Sequence, residues 1–440
     1  MPRDSRTAAE GRVVVTGSGE RRRIAVVGAG VAGLTASWVM AKDADVTLYE
    51  ADGRLGGHAD THRVRTPVGD GLAVDTGFIV HNDRTYPTLL RLFAELDVPT
   101  QDSDMSMSVR CDGCGLEYSG GQGLRGLAPT VSTLLRGEYV RMLLEVKRFH
   151  RRASALLEDG DADEITLGDF LATGGFAPYF VAHFMTPLVS AVWSCDPQTA
   201  LQYPARYLFT FLDHHGMLGV GGSPTWRTVR GGSAEYVRRI ADHIDDVRVS
   251  TPVRAVHRHA DHVEIRDDAD RLRRFDAVVV ATHPLQALKM LAAPTPLQHE
   301  VLGAMPYSVN HTQLHTDQSV LPRRSRARAS WNYRIPFCAA RPEQVLVSYD
   351  MTRLQQLPDT GERYLVTLGG KDVVDPDLVL DTMVYEHPQY TPASLAAQRR
   401  LPELSDHVVA FAGAYHGWGF HEDGALSGLR AAESVGGRWT

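Results

Sequence analysis

The sequence predicts an α/β fold: a discontinuous Rossmann-like dinucleotide-binding domain joined to a mixed α+β substrate domain. Three observations predict it. A β-branched run, Ile24 to Val27, passes directly into Gly28-Ala29-Gly30-x-x-Gly33 and a helical pattern through Leu34, Trp38 and Val39. A second strand, Val46-Thr-Leu-Tyr, ends at Glu50, 22 positions after Gly28; a ribose-binding carboxylate is expected about 20 residues on. Apolar strands of the same kind return in the middle of the chain, Phe275 to Ala281, and near its end, Val408 to Gly413. In such a unit the first glycine makes the tight turn, the second admits a pyrophosphate, and the third packs helix against strand. The helix N-terminus offers free N–H groups and a positive dipole end to phosphate.

After Glu50 the chain runs through Ala51-Asp-Gly-Arg54-Leu-Gly56-Gly57-His58, a Gly-rich turn, into alternating strand residues up to Asp75-Thr76-Gly77-Phe78-Ile79. From Tyr86 the period becomes helical, with Leu89, Leu90, Leu92, Phe93 and Leu96 on one face. Residues 124–215 read as mostly helical, punctuated by Pro129, Pro178, Pro187 and Pro204. Gly231-Gly232-Ser233 opens another helix with Ser233 as its N-cap. A β-rich unit follows from Val247 to Ala281, whose last strand is nearly continuously apolar, as a strand covered on both faces should be. Strands recur around 312–316, 345–349 and 364–368, and a final helix runs from Glu422 to Val435. The nucleotide-binding segments are therefore 22–84, 229–300 and 405–437, and the substrate domain comprises 85–228 and 301–404.

A chain of 440 residues exceeds one typical core, which favours two joined domains. Hydrophobic content of 43% and charge of 22% are those of a globular protein, and a net charge of −7 gives no reason to expect a nucleic-acid partner. No apolar run approaches the ~20 residues that span a bilayer. The polar opening lacks an apolar h-region, so 1–21 reads as a disordered tail and the protein as cytoplasmic. Arg21-Arg22-Arg23 is no export signal, because the apolar residues after it belong to the nucleotide motif. Cys111-Asp-Gly-Cys114 has zinc-knuckle spacing, but no second CxxC or HxxxH accompanies it. The expectation is a hairpin turn with two reduced thiols and no metal. His311 and His315, on one face of a strand by alternation, are likewise too few to hold a metal.

The order of Gly28-x-Gly30-x-x-Gly33, Glu50, Arg54-x-Gly56-Gly57, Gly231-Gly232, Ala281-Thr282 and Gly413…Glu422-Asp423-Gly424-Ala425 resembles the FAD-dependent amine oxidase and phytoene desaturase superfamily over most of residues 22–437. The resemblance implies an amine-oxidase-like two-domain flavoprotein. By it, Glu50 with Ala51 holds the adenosine ribose, while Arg54, Gly56, Gly57 and His58 sit beside the pyrophosphate. Thr76, Gly77, Phe78 and Ile79 line the flavin ring, Val253 faces the adenine through its backbone, and Ala281 is a further cofactor-binding residue. Gly413 and the helix start at Glu422, Asp423 and Ala425 lie at the flavin end. The loop from Gly413 to Asp423 holds no cysteine, which implies noncovalent FAD.

More narrowly, Tyr349-Asp-Met-x-Arg353, Tyr385-x-His387-Pro and Trp418-Gly-Phe420-His421-Glu422-Asp423-Gly424 resemble a bacterial subgroup of predicted FAD-binding oxidoreductases. That subgroup is commonly encoded beside cyclopropane-fatty-acid-synthase-like methyltransferases. This implies an apolar or lipid substrate and a lipid methyltransferase as partner. In the amine oxidases a lysine on a substrate-domain strand holds a water at the flavin; the comparable strand here, Ser308-Val-Asn310-His311-Thr312, has none, and Lys289 precedes it in a helix.

The expected chemistry is transfer of a hydride from a substrate C–H to flavin N5, desaturating or isomerising a fatty-acyl or other apolar substrate. The alternatives are an amine oxidase acting on a C–N bond and a non-catalytic flavin-bound partner of a methyltransferase. Trp331, Tyr333, Tyr415, Trp418 and Phe420 are either ordinary core or a substrate-facing wall. His421 is a catalytic proton carrier, a structural histidine or a hydrogen-bond donor to flavin. The basic amphipathic stretch 136–152 is either a solvated helix face or a peripheral contact with an anionic membrane.

Overall fold

The computed structural model describes residues 21–66, 69–159, 165–219, 221–339 and 342–439. The expected tail, apart from Arg21, lies outside them. The strand Arg22–Val27 is the centre of a five-stranded sheet, flanked by Ala44–Tyr49 and then Asp246–Arg248 on one side, and by Ala277–Val280 and then Val409–Phe411 on the other. Every pairing in it is parallel, with Ile24 opposite Val46 and Ala277. A sheet of this kind must be covered on both faces, and its central residues 24–27 are accordingly buried. The helices Val31–Ala41 and His421–Ser434 pack against each other through small residues; Gly428 comes so close to the carbonyl of Ala32 that a Cβ there would overlap it. The strands Val253–Arg258, Val263–Asp267 and Leu272–Phe275 form a separate antiparallel sheet in the connection between two parallel strands.

A seven-stranded sheet carries the second half of the molecule. Its order is Val379–Pro388, Tyr307–His315, Leu365–Leu368, Val347–Asp350, Trp331–Ile335, Met107–Cys111, Leu116–Gly120. All pairs are antiparallel except Trp331–Ile335 with Met107–Cys111. Val379–Pro388 is an edge strand with few buried positions, so it shows no apolar signature in sequence. The helices of 123–214 cover this sheet; Gly137–Glu158 is the longest, buried through Tyr139, Met142, Phe149 and Ala153.

Two local expectations change. Ser233 stands at the N-cap of the helix Ala234–Ala241, but its side chain accepts nothing from that helix. Instead its backbone N–H and its hydroxyl both donate to buried Asp75, at 2.9 and 2.8 Å. Thr61 and Gln355 complete this carboxylate's shell, which ties the glycine turn 231–232 to both halves of the chain. A register shift between Leu314 and His315 breaks the alternation of that strand. His311 is therefore exposed, while His315 is fully buried and bonded to Thr367 at 2.7 Å.

Candidate active site

The glycine loop is shaped by contacts that only glycine permits. Gly28 has φ 98, and a Cβ there would sit 2.6 Å from the carbonyl oxygen of Ala281. At Gly33 a Cβ would overlap the carbonyl of Gly28, which fixes helix against strand. Gly30 differs: nothing lies within 4 Å of where its Cβ would be, so the loop is open to a ligand at this point. Gly30 is also the N-cap of Val31–Ala41 and supplies no side-chain cap, leaving the first N–H groups available to an anion.

Glu50, at the end of the second strand, accepts from Ala29 N at 2.7 Å and Asp52 N at 2.9 Å. Its carboxylate is thereby held against the glycine loop. The turn at Gly56-Gly57 lies on the same loop: Gly56 N donates to Ala29 O at 2.8 Å. Arg54 pairs with buried Asp60 at 2.9 Å, and Asp60 also accepts from Tyr385 Oη at 2.8 Å. The segment Thr76-Gly77-Phe78 runs along the backbone of His58, whose carbonyl accepts from Phe78 N at 2.6 Å. Thr76 Oγ1 and Tyr385 Oη lie 2.6 Å apart.

Around His58 the fold gathers groups that sequence reasoning did not assign. His58 lies beside Tyr385 and His387, with ring centroids at 5.1 and 5.3 Å, and beside His283 at 6.3 Å. Burial, reinforced by His387 and His283, holds the His58 imidazole well below its ordinary pKa. Its Nε2 is buried and has no partner among the described residues. His387 is pushed down to about 4 by burial. The amide of Asn310 donates to His387 Nδ1 at 3.0 Å, which places the proton of that neutral ring on Nε2. Asn310 belongs to the strand that lacks a lysine. The only sequence signal for this group was Tyr385-x-His387-Pro.

The loop from Gly413 to Phe420 is pinned by polar groups from two helices and from the segment after the strand Val379–Pro388. Tyr207 and Tyr390 hydroxyls donate to Gly417 O at 2.7 and 2.8 Å, and Trp193 Nε1 donates to Trp418 O at 3.0 Å. Phe420 stacks on Phe211 at 4.9 Å, and Trp418 faces Tyr207 at 5.8 Å. Trp418 and Phe420 are thus one aromatic group, half-buried, with the indole N–H of Trp418 unpartnered. Trp331 and Tyr333 border the same hydrophobic core from the seven-stranded sheet, Trp331 meeting Tyr349 edge-on. Tyr415 does not join them: its ring is packed under Gly413 in the core of the parallel-sheet half. A cavity of about 290 Å³ opens beside Tyr333, lined mainly by apolar side chains including Leu171, Phe176, Val181, Leu201 and Ile335.

His421 is placed in packing rather than in an open site. It stacks on Phe78 at 3.5 Å, meets Tyr236 Oη through Nε2 at 3.0 Å, and is pushed down to about 3 by burial. This is the setting of the structural histidine, one of the three roles the sequence left open for His421. The carboxylate of Glu422 is likewise spent, accepting from Thr88 N and Leu89 N at 2.9 Å each and capping the helix Pro87–Glu95. Asp423 folds back onto Phe420 N at 2.9 Å, is pushed up to about 7 by burial, and orders the start of the last helix. Ala425 is buried in that helix, while Ala51 is exposed beyond Glu50 and Val253 half-buried at the start of its strand. The open Gly30, the uncapped helix N-terminus, the buttressed Glu50 and the orphan His58 Nε2 together fit a dinucleotide.

The sequence matches the family described as flavin containing amine oxidoreductase over residues 31–436. Carotenoid phi-ring synthase of Streptomyces griseus is 28% identical over 300 residues, 63% of this chain and 55% of that protein. The chain spans about half the length of the curated relatives it matches. Among solved structures, cyclohexylamine oxidase from Brevibacterium oxydans superposes with a TM-score of 0.67 at 18% identity, covering 94% of this chain and 99% of that one. A CLA-producing fatty acid isomerase from P. acnes superposes with a TM-score of 0.66 at 15% identity, covering 94% and 98%. At such identities the superpositions establish the two-domain fold.

Proposed function

The chain belongs to the flavin containing amine oxidoreductase family and takes FAD as its cofactor, and from that premise we propose that it desaturates or isomerises an apolar, fatty-acyl type substrate with noncovalently bound FAD. The observation that carries this reading is Asn310, buried and bonded to neutral His387 on the strand where the amine oxidases hold a lysine. The aromatic pair Trp418 and Phe420 supplies the matching surface. A fatty acid isomerase and a carotenoid ring synthase among the relatives support the same class.

Bound FAD supplies the hydride acceptor; orientation, dryness and electrostatics are left to the protein. Segments 22–84, 229–300 and 405–437 are assigned to FAD binding, and 85–228 and 301–404 to the substrate. Gly28 to Gly33 and the helix behind them would hold the pyrophosphate, Glu50 the ribose, and Thr76 to Ile79 the ring. Trp418 and Phe420 exclude water and press an apolar chain into place. Neutral, half-buried His387, with its proton on Nε2, is able to donate that hydrogen to a bound group, with His58 beside it. No nucleophile is required.

Anaerobic mixing of the yellow protein with candidate substrates tests this directly. Bleaching by an unsaturated or methylated acyl lipid supports desaturation, and a shifted double bond in the recovered lipid with the flavin still oxidised supports isomerisation. Bleaching only by amines supports the amine-oxidase reading, and an unbleached flavin with every lipid recovered unchanged supports a non-catalytic partner of a lipid methyltransferase.

An acyl lipid brings the membrane into the reading. No helix among the described residues is long and apolar enough to cross a membrane. Leu124, Val131 and Leu135, on the two short helical turns before the long helix, are 80% or more exposed, and Leu144 in its first half is 66% exposed. Arg141, Lys147, Arg151 and Arg152 stand exposed along that helix, while Arg148 is drawn onto the ring of Phe176. The proposed contact with an anionic bilayer is therefore the basic face of 136–152 together with the exposed apolar residues that precede it.

A further inference from the structure

Cys111 and Cys114 close the hairpin between the strands Met107–Cys111 and Leu116–Gly120. The second half-site absent from the sequence as a motif is assembled by the fold. His183 arrives from the π-helical turn Val181–Met185, and Cys338 from the loop after Trp331–Ile335. The four ligand atoms all lie within 4.8 Å of one another. Cys111 Sγ is 3.7 Å from Cys338 Sγ, and Cys114 Sγ is 3.7 Å from His183 Nε2. With Zn–S near 2.3 Å and Zn–N near 2.0–2.1 Å, the edges of a zinc tetrahedron are about 3.8 Å for S···S and about 3.6 Å for S···N.

We propose that Cys111, Cys114, His183 and Cys338 form a structural zinc site. The surroundings are built for it. His183 is buried, and its Nδ1 lies 3.1 Å from the carbonyl of Tyr179, which fixes the tautomer that turns the Nε2 lone pair toward the thiols. The Tyr179 ring stacks on His183 at 4.0 Å and holds its plane. Gly113 brings the hairpin turn onto the other segment, since a Cβ there would meet Phe337 Cα at 2.8 Å. Asp112 N donates to Ile335 O at 2.9 Å, and Asp112 pairs with Arg110 and Arg334. Three thiolates around Zn²⁺ leave one negative charge, and Arg136, bonded to Cys114 O at 2.7 Å, stands beside it. Four protein ligands leave no open position, so the metal joins three distant segments rather than performing chemistry. Sulfur-rich tetrahedral geometry selects zinc over the hard cations.

The test is metal content. Untagged holoprotein, purified without chelator from zinc-supplemented culture, should contain about one zinc per chain by inductively coupled plasma mass spectrometry. Its cluster thiols should react with a disulfide reagent only after a chelator is added. Cys338 is exposed, so Cys338→Ser should leave the fold and the flavin intact while zinc falls by more than half. Reduced apoprotein titrated with Co(II) should develop the visible absorption of a tetrahedral thiolate site. Wild-type protein that carries no zinc and takes up neither Zn(II) nor Co(II), that carries iron instead, or that shows a Cys111–Cys338 disulfide by mass overturns the assignment.

Discussion

Replacing Glu50 with alanine separates the two tasks that its carboxylate performs. One is internal: Glu50 accepts from Ala29 N and Asp52 N. Ala29 is fully buried, so its N–H loses its only described partner, at a cost of roughly 1–3 kcal/mol for an unsatisfied buried donor. Asp52 is exposed and recovers water. The other task is the ribose contact proposed for FAD, a charge-assisted hydrogen bond of roughly 1.5–3 kcal/mol. Its loss corresponds to a rise in Kd of about tenfold to 150-fold. Titrating apoprotein with FAD by flavin fluorescence measures the second effect, and thermal melting of the apoprotein measures the first. Glu50→Gln keeps a carbonyl acceptor for Ala29 N and should restore most of the melting temperature but only part of the affinity. An FAD Kd unchanged within about twofold in Glu50→Ala would refute the ribose role, whatever the stability did.

Trp418→Ala should keep FAD bound and lower kcat/KM for the reducing substrate at least tenfold, about 1.4 kcal/mol of barrier; an unchanged value removes Trp418 from the substrate wall. Burial holds His81, His215, His315, His387 and His416 down to about 4 and His421 down to about 3. These imidazoles take up protons only on unfolding, so their stabilising effect is lost as pH falls from 6.5 toward 4. Asp75 and Asp423, pushed up to about 6 and about 7, act in the opposite sense. At pH 5 these eight groups give a net uptake of roughly three to four protons, read as the slope of unfolding free energy against pH with FAD held saturating; a flat or inverted slope contradicts it. Leu124, Val131 and Leu135 each add roughly 1.5–3 kcal/mol when fully buried. Changing all three to serine should reduce co-sedimentation with anionic vesicles more than tenfold, and wild-type binding should weaken with salt. Equal binding to neutral vesicles, or no change in the variant, returns this surface to an ordinary exposed role.

The nucleotide unit was legible because its signals are local. Strand, glycine loop, helix, strand and acid are written within residues 22–50, and each glycine meets a steric demand of its neighbours. The apolar run at 277–281 likewise announced a strand buried on both faces. The edge strand Val379–Pro388 and the strand Trp331–Ile335 lack such a run or a clean alternation, so neither was visible. The candidate site was legible to the same extent: the glycines and Glu50 were found, while Asn310, His283 and Trp193 carry no local pattern that marks them.

By itself the sequence determined the α/β class, the dinucleotide loop and the flavin family, since those rest on contiguous residues whose backbone geometry leaves few choices. Tertiary structure decided what single polar side chains do, because a hydrogen bond or a buried charge depends on whichever distant segment arrives opposite. His421 became packing once Phe78 and Tyr236 closed on it, and Glu422 became a cap for a helix more than three hundred residues earlier in the chain. Cys111 and Cys114 read as an isolated pair of thiols until the fold set His183 and Cys338 beside them. Chain order keeps those four apart; the seven-stranded sheet and the π-helical turn bring them within one coordination sphere.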